Sequence, residues 1–394
     1  MLQKVDIDEL CPGMFVTNVT KQHAKIRITS GGRLTSKSDI VEMRKKGILQ
    51  VEIDLAKSTH LANQDEGEAA VELANNVNAA GLTYKQQLDM TLTLYEQARN
   101  VHRSTIRRFV KGRVGNLQEV EEISREIVDK VFKCDEAIGI FTLIKDHSDY
   151  LLEHSINCSI LMTIFGKHLG FDQEILYKLC FGVMLMDIGM VKMPLLLIEK
   201  PGSLSPNETE KIQTHVKVAL TMLGKFETIS ELSLEVIEQH HERLDGSGYP
   251  KGLHAEQISQ YGRMVAIVDI YDALTSKRPY REALNPAHAL IKINEEELGL
   301  DKTLVNSFIE CVGTNPIGSV VKLQSGKLAM VLRLNKQAPL KPLVMVFYDL
   351  QTKSESGPKQ VDLAKTKDTI LSSISPDDFG IEMVVFLKQV FKAT

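Results

Sequence analysis

The stretch FGVMLMDIGMVKMP, Phe181 to Pro194, decides how the middle of this chain is read, because it looks like a buried helix until Asp187 interrupts it. Counting back by helical spacing from Asp187 gives Val183, Leu179 and Ile175, so the acid falls on the stripe expected to face the core. A buried carboxylate without a partner is costly. An arginine or lysine, a proton, or a metal ion must therefore answer it, and the adjacent Met186 and Met190 carry no charge that could.

Asp187 has company. His154 shares a helical face with Leu151, Cys158, Leu161 and Phe165, and His215 shares one with Ile212, Ala219 and Leu223. His240 and His241 follow Val236 and Ile237 at the end of another apolar helix. Asp269 is in phase with Val265 in RMVAIVDIYDAL, with Asp272 on a nearby face. Taken singly, an inward histidine is more often a hydrogen-bonded core residue than a ligand. Four imidazoles and two carboxylates entering one helical core would bury too much polarity unless they met. His with Asp suits a dinuclear site of iron, manganese or zinc, in which Asp187 is neutralised by metal in a bridging position.

A second constellation follows the histidine pair. In HHERLDGSGYPKGL, Gly246 and Gly248 permit tight turns and Tyr249 offers a phenol in a fixed position. Further on, SKRPYREA carries Arg278 and Arg281, three apart and on one side if helical, which suits bidentate binding of phosphate or a guanine edge.

The bulk numbers set the frame. With 394 residues, 43% of them hydrophobic, the chain is long enough for two or three domains. A net charge of -4 carries no polyanion-binding signature, so polymeric nucleic acid is not an expected partner. The five cysteines are widely spaced without a CxxC pair, which indicates reduced thiols. MLQKVDIDEL lacks an apolar signal-peptide core, and Asp187, Lys192 and Pro194 break the most apolar run. A cytoplasmic protein without membrane insertion is expected.

Residues 1–125 are expected to form an N-terminal module, β-rich in MFVTNV and LQVEIDL and helical over 66–125. Residues 126–312 read as a succession of amphipathic helices. One start is well marked: Ser205 can cap, Pro206 is at the first helical position, and Glu208 completes a capping box. Residues 313–394 read as a small, mostly β appendage, with VVKLQSGKLAMVL a hairpin turning at Ser325-Gly326 and PLVMVFYDL a third strand.

HHERLDGSGYP, the upstream HSINC, the LMDIGM helix, His215 and the later VDIYDALTSKRPYR together resemble the HD-GYP family, a branch of the HD metal-dependent phosphohydrolases that cleave cyclic di-GMP. The resemblance covers about residues 126–312, and the start DIDELCPGMFV resembles a module of unknown function that often precedes such domains. It implies a mainly α fold: an all-helical HD-type domain, flanked by a small mixed α/β N-terminal module and the β appendage. It implies two divalent ions, iron or manganese. His154, Asp187 and Asp269 would hold one, and Asp187 would bridge to a second held by His215, His240 and His241, with Asp187 and Asp269 the catalytic carboxylates. Tyr249, Arg278 and Arg281 would hold cyclic di-GMP, hydrolysed to pGpG and then GMP. A homodimer or a partner signalling protein completes the expected partners. Two family positions differ here: the His-Asp doublet appears as Met186-Asp187, and a phosphate-binding lysine as Met190. Both changes are also compatible with a non-hydrolytic member that binds cyclic di-GMP or a partner protein. Tyr150 stands where some members place a glutamate for a third metal, so two ions is the expected ceiling.

Overall fold

The computed structural model describes residues 2–7, 10, 14–22, 32–34, 37–54, 84–112, 116–141, 150–276, 283–335 and 337–374. The chain divides into two compact units, Met1–Asn75 and Asn76–Thr394.

In the first unit, β1 (Leu2–Asp6), β2 (Phe15–Gln22), β3 (Gly32–Arg33) and β4 (Ile48–Asp54) form an antiparallel sheet in the order β1-β4-β2-β3, with α1 (Lys37–Lys45) between β3 and β4. The spacing of apolar residues in ILQVEID turns Ile48, Val51 and Ile53 inward, where they meet Val5, Val16 and Ile40. Two runs expected to be strands, MFVTNV and LQVEIDL, thus form β2 and β4.

The second unit is a helical assembly with a small sheet at its end. α2 (Tyr84–Val110) turns off at Gly112, whose φ of +65° suits a residue without a side chain, and α3 (Gln118–Phe141) packs back against it. One stripe of α2 is buried: Thr91, Tyr95, Ala98, His102, Thr105 and Phe109 recur three and four apart. Two anchors tie this stripe to α4 (Tyr150–His168): Tyr95 Oη donates to Asn157 Oδ1 at 3.1 Å, and Arg99 pairs with Glu153 at 3.2 Å.

α4 is the centre of the domain, buried at every residue from Leu152 to Thr163. Around it lie α3, α5 (Gln173–Leu185) and α10 (Gln260–Thr275). Phe165 meets Phe308 of α12 (Lys302–Val312) edge-on at 5.2 Å. Between α5 and α10 run α6 (Leu195–Ile198), α7 (Pro206–Gln213), α8 (His215–Leu223) and α9 (Glu231–Gln239), and α11 (Pro286–Ile293) follows α10. The capping box of α7 is present: Ser205 N–H donates to Glu208 at 2.7 Å, and Glu208 N–H donates to Ser205 Oγ at 3.4 Å.

β5 (Val320–Leu323), β6 (Lys327–Arg333), β7 (Leu343–Asp349), β8 (Ser354–Asp362) and β9 (Ile370–Ser373) make an antiparallel sheet in the order β8-β7-β6-β5-β9. The β5–β6 hairpin turns at Ser325-Gly326 as expected, with Gly326 at φ +78°. Asn285, the cap of α11, donates to the carbonyls of Val320 and Ile374 and accepts from Ser373 Oγ.

The candidate metal centre

Asp187 does not lie within a helix, as its spacing suggests. α5 ends at Leu185, Met186 is its last cap, and Asp187, with φ -94° and ψ 6°, opens a 3-10 turn over Ile188–Lys192. Packing makes the break. Gly189 is pressed so closely on α8 that a Cβ there would lie 2.0 Å from the His215 carbonyl oxygen. A continued α-helix would follow a different path; the turn brings the Asp187 carboxylate under the start of α8.

Each of the expected histidines and aspartates converges there. Asp187 Oδ1 faces His215 Nε2 at 3.3 Å and His240 Nε2 at 3.9 Å, while its Oδ2 faces His154 Nε2 at 3.7 Å. The two oxygens thus address different imidazoles. Asp269 does the same, with Oδ1 2.9 Å from His154 Nε2 and Oδ2 3.3 Å from His241 Nδ1. His240 caps α9 and His241 follows it, their rings 3.9 Å apart, and Tyr249 lies 4.6 Å from the His241 ring.

The outward nitrogens fix how the rings are presented. His215 Nδ1–H donates to Ile212 O at 2.8 Å and His240 Nδ1–H to Ile237 O at 2.7 Å. That leaves Nε2 of both rings buried without a hydrogen-bond partner, facing a carboxylate oxygen. Acceptors facing an acceptor in a dry interior repel unless a cation lies between them. The group Asp187, His215, His240 and His241 offers ligand atoms all within 4.8 Å of one another, and these nitrogen and oxygen donors suit a divalent transition-metal ion.

The protonation preferences follow from the same geometry. Burial pushes the Asp187 carboxyl up, but His215, His154 and His240 overcome it and hold it far below the ordinary range. Asp269 behaves alike, with burial overcome by His241 and His154. Burial and the neighbouring His241 push His240 down to about 3, so it is neutral at ordinary pH. For His215 burial lowers the pKa, yet Asp187 more than offsets this and raises it above 6.5.

His154 is held from behind by a residue that the sequence placed only nearby. Its Nδ1 lies 2.7 Å from Asp272 Oδ2, one helical turn beyond Asp269, which directs Nε2 toward Asp269 and Asp187. Ser276 Oγ donates to Asp272 in turn. Cys158 lies 3.6 Å from His154 Nδ1, but burial pushes its thiol up to about 12, so it is a neutral packing partner there.

The glycine-rich loop has its own support. Buried Glu242 accepts from the backbone N–H of Lys251 at 2.8 Å and Leu253 at 2.9 Å, pinning the loop that carries Tyr249. Gly248 is needed because a Cβ would meet His241 O at 2.6 Å. The signal for Glu242 was its position directly after the histidine pair. Arg278 and Arg281 lie outside the described residues, as does the side chain of Tyr150. No helix among the described residues is long and apolar enough to cross a membrane.

Residues 140–304 match the HD domain model, residues 2–120 a domain of unknown function (DUF3391), and residues 320–380 a KOW domain associated with HD domain. The cyclic di-GMP phosphodiesterase PA4108 of Pseudomonas aeruginosa is 29% identical over 94% of this chain and 91% of its own length. The 3'3'-cGAMP-specific phosphodiesterase 1 of Vibrio cholerae is 35% identical over 38% of this chain and 34% of its own. Among solved structures, Bd1817, an HDG"Y"P protein from Bdellovibrio bacteriovorus, aligns with 15% identity and a TM-score of 0.48, covering 79% of this chain and 99% of that one. The helical domain is an HD domain. With the HHERLDGSGYP loop closing its histidine cluster, the chain belongs to the HD-GYP family.

Proposed function

We propose that this chain is a metal-dependent phosphodiesterase that hydrolyses cyclic di-GMP to linear pGpG, and on a second cut to GMP. The observation that carries the reading is the pair of buried, unpartnered Nε2 atoms of His215 and His240 aimed at Asp187. His154, Asp187 and Asp269 would hold one ion, and His215, His240 and His241, with Asp187 bridging, the other. Iron or manganese fits a set of imidazoles and carboxylates without thiolate. Bound there, the ions supply an activated water and stabilise charge on the phosphoryl oxygens.

The side chains do the rest. Asp272 orients the His154 ring, so its Nε2 lone pair is available without reorganisation. Asp187 and Asp269, both kept ionised, carry the negative charge that offsets the ions. Tyr249, over the His241 ring, together with Arg278 and Arg281, would grip the dinucleotide and set the scissile phosphate at the centre. The relatives' names support a cyclic dinucleotide as substrate, and cyclic di-GMP in particular.

A second reading, a cyclic di-GMP-binding regulator without turnover, is favoured by Met186. Its thioether is fully buried at the position where the family has the imidazole of the doublet. One experiment separates the two. Protein purified anaerobically with iron or manganese is given cyclic di-GMP or 3'3'-cGAMP, and products are resolved by chromatography. Metal-dependent pGpG is expected. Binding of cyclic di-GMP without product would leave the regulator reading, and turnover of 3'3'-cGAMP alone would reject the substrate.

A further inference from the structure

Another imidazole is buried in the same domain on a helix far upstream of the histidine motifs. His102 of α2 is 2% exposed, and its Nδ1 has no hydrogen-bond partner. It is the fourth residue of the buried stripe, and the anchors on either side define where the stripe runs. Tyr95 and Arg99 bind Asn157 and Glu153, which flank His154 on α4. Beyond His102, Phe109 packs on Phe226, just past the end of α8, at 6.4 Å. Between these points α2 packs against the 3-10 turn that Asp187 opens. The stretch of α2 that carries His102 thus lies between its anchors to the His154 helix and its contact just past α8.

A buried nitrogen without a partner destabilises a core, and a helix stripe otherwise filled by Ala, Thr, Tyr and Phe has no packing need for an imidazole. The charge of Asp187 also reaches it: burial drives the His102 pKa down to about 4, and Asp187 opposes that fall. A neutral imidazole with a free lone pair is the form that binds a metal.

We propose that His102 is a further ligand of the metal centre, delivered by α2 to the ion on the Asp187–His154 side. The inference rests on the reading of His154, Asp187 and Asp269 as metal-binding. It makes α2 part of the site: the helix that precedes the HD motifs would complete the coordination sphere left short by the thioether of Met186.

The test compares the full chain with its His102→Leu variant, both loaded anaerobically with manganese and separately with cobalt(II). Bound metal is counted by elemental analysis, affinity is measured by competition with a chelator, and the cobalt visible spectrum reports on ligand number. The parent should hold two ions. His102→Leu should hold one of them at least about tenfold more weakly, with an altered cobalt spectrum. Its metal-free form should melt no lower than the parent, because an unmatched nitrogen is gone. Should His102→Leu not fold, His102→Gln gives the same metal readout while keeping a polar side chain. A parent with two ions and a variant with identical affinity and spectrum would overturn the role of His102 alone. A parent that binds no metal would overturn the reading of the centre itself.

Discussion

Asp272→Asn tests whether orientation of His154 matters as much as its presence. His215 and His240 are held by backbone carbonyls, which no side-chain substitution removes. His154 is held by a side chain, through a 2.7 Å contact to a carboxylate that is 1% exposed. Asparagine keeps the shape but replaces a charged acceptor with an amide that can present its NH2 to the ring, and the imidazole then loses its preference for the Nε2 lone pair. Loss of such an outer partner lowers metal affinity by about 10–100-fold, or about 1.4–2.8 kcal/mol at about 1.4 kcal/mol per decade. Full burial argues for the upper half of that range, since no water can take over the contact. Chelator competition monitored by cobalt absorption would resolve the two ions. The expected result is a weakened ion at His154, Asp187 and Asp269, with the ion at His215, His240 and His241 little changed. Equal weakening of both, or of neither, would refute the argument that Asp272 acts through the tautomer of His154.

Gly189→Ala should be among the most damaging single changes, because the new methyl would meet backbone at His215 O, 2.0 Å away, and cannot rotate clear; a lower melting temperature together with reduced metal content is expected. Glu208, held down at about 2 by Lys200 and the Ser205 N–H, contributes stability that is present above its ordinary pKa of 4.5 and fades as pH falls from there toward 2. Glu208→Gln should flatten that acid limb in pH-dependent melting while leaving neutral-pH metal binding intact. Met186→His should raise occupancy of the first ion, and elemental analysis showing no gain would mean that the thioether is not what limits it. Arg281→Ala should weaken cyclic di-GMP affinity by about 1.5–3 kcal/mol if a charged hydrogen bond is lost, without altering metal content; calorimetry showing unchanged affinity would remove Arg281 from the site.

The histidine and aspartate cluster was legible because buried polarity is expensive, and residues such as His154 and Asp269 stand out against Leu, Ile and Val at helical spacing. The path of the chain at Asp187 was not. Nothing between Phe181 and Met186 signals a helix end, and the end is imposed from outside by the close approach of Gly189 to the start of α8. His102 was hidden for a different reason: in α2 the buried stripe contains Thr91, Tyr95 and Thr105 as well, so one more polar residue carries no contrast. Asp272 was seen as a neighbouring acid, but only a three-dimensional contact distinguishes a residue that faces a metal from one that faces the ligand's far nitrogen. The small sheet was legible in both its hairpin and its third strand, since alternation and the Ser325-Gly326 turn are local properties.

The burial of α4 from Leu152 to Thr163 has a kinetic side. Its amides are shielded by the helices packed around it, so their exchange with solvent deuterium should follow global opening, and His154 is mounted on that slowly exchanging helix. His241 is less deeply enclosed, with 18% of its side chain exposed, and Tyr249 beside it belongs to a loop. Ions would therefore enter and leave past His241 and the glycine-rich loop. Exchange of a bound ion on that side would then not wait for the unfolding of the domain.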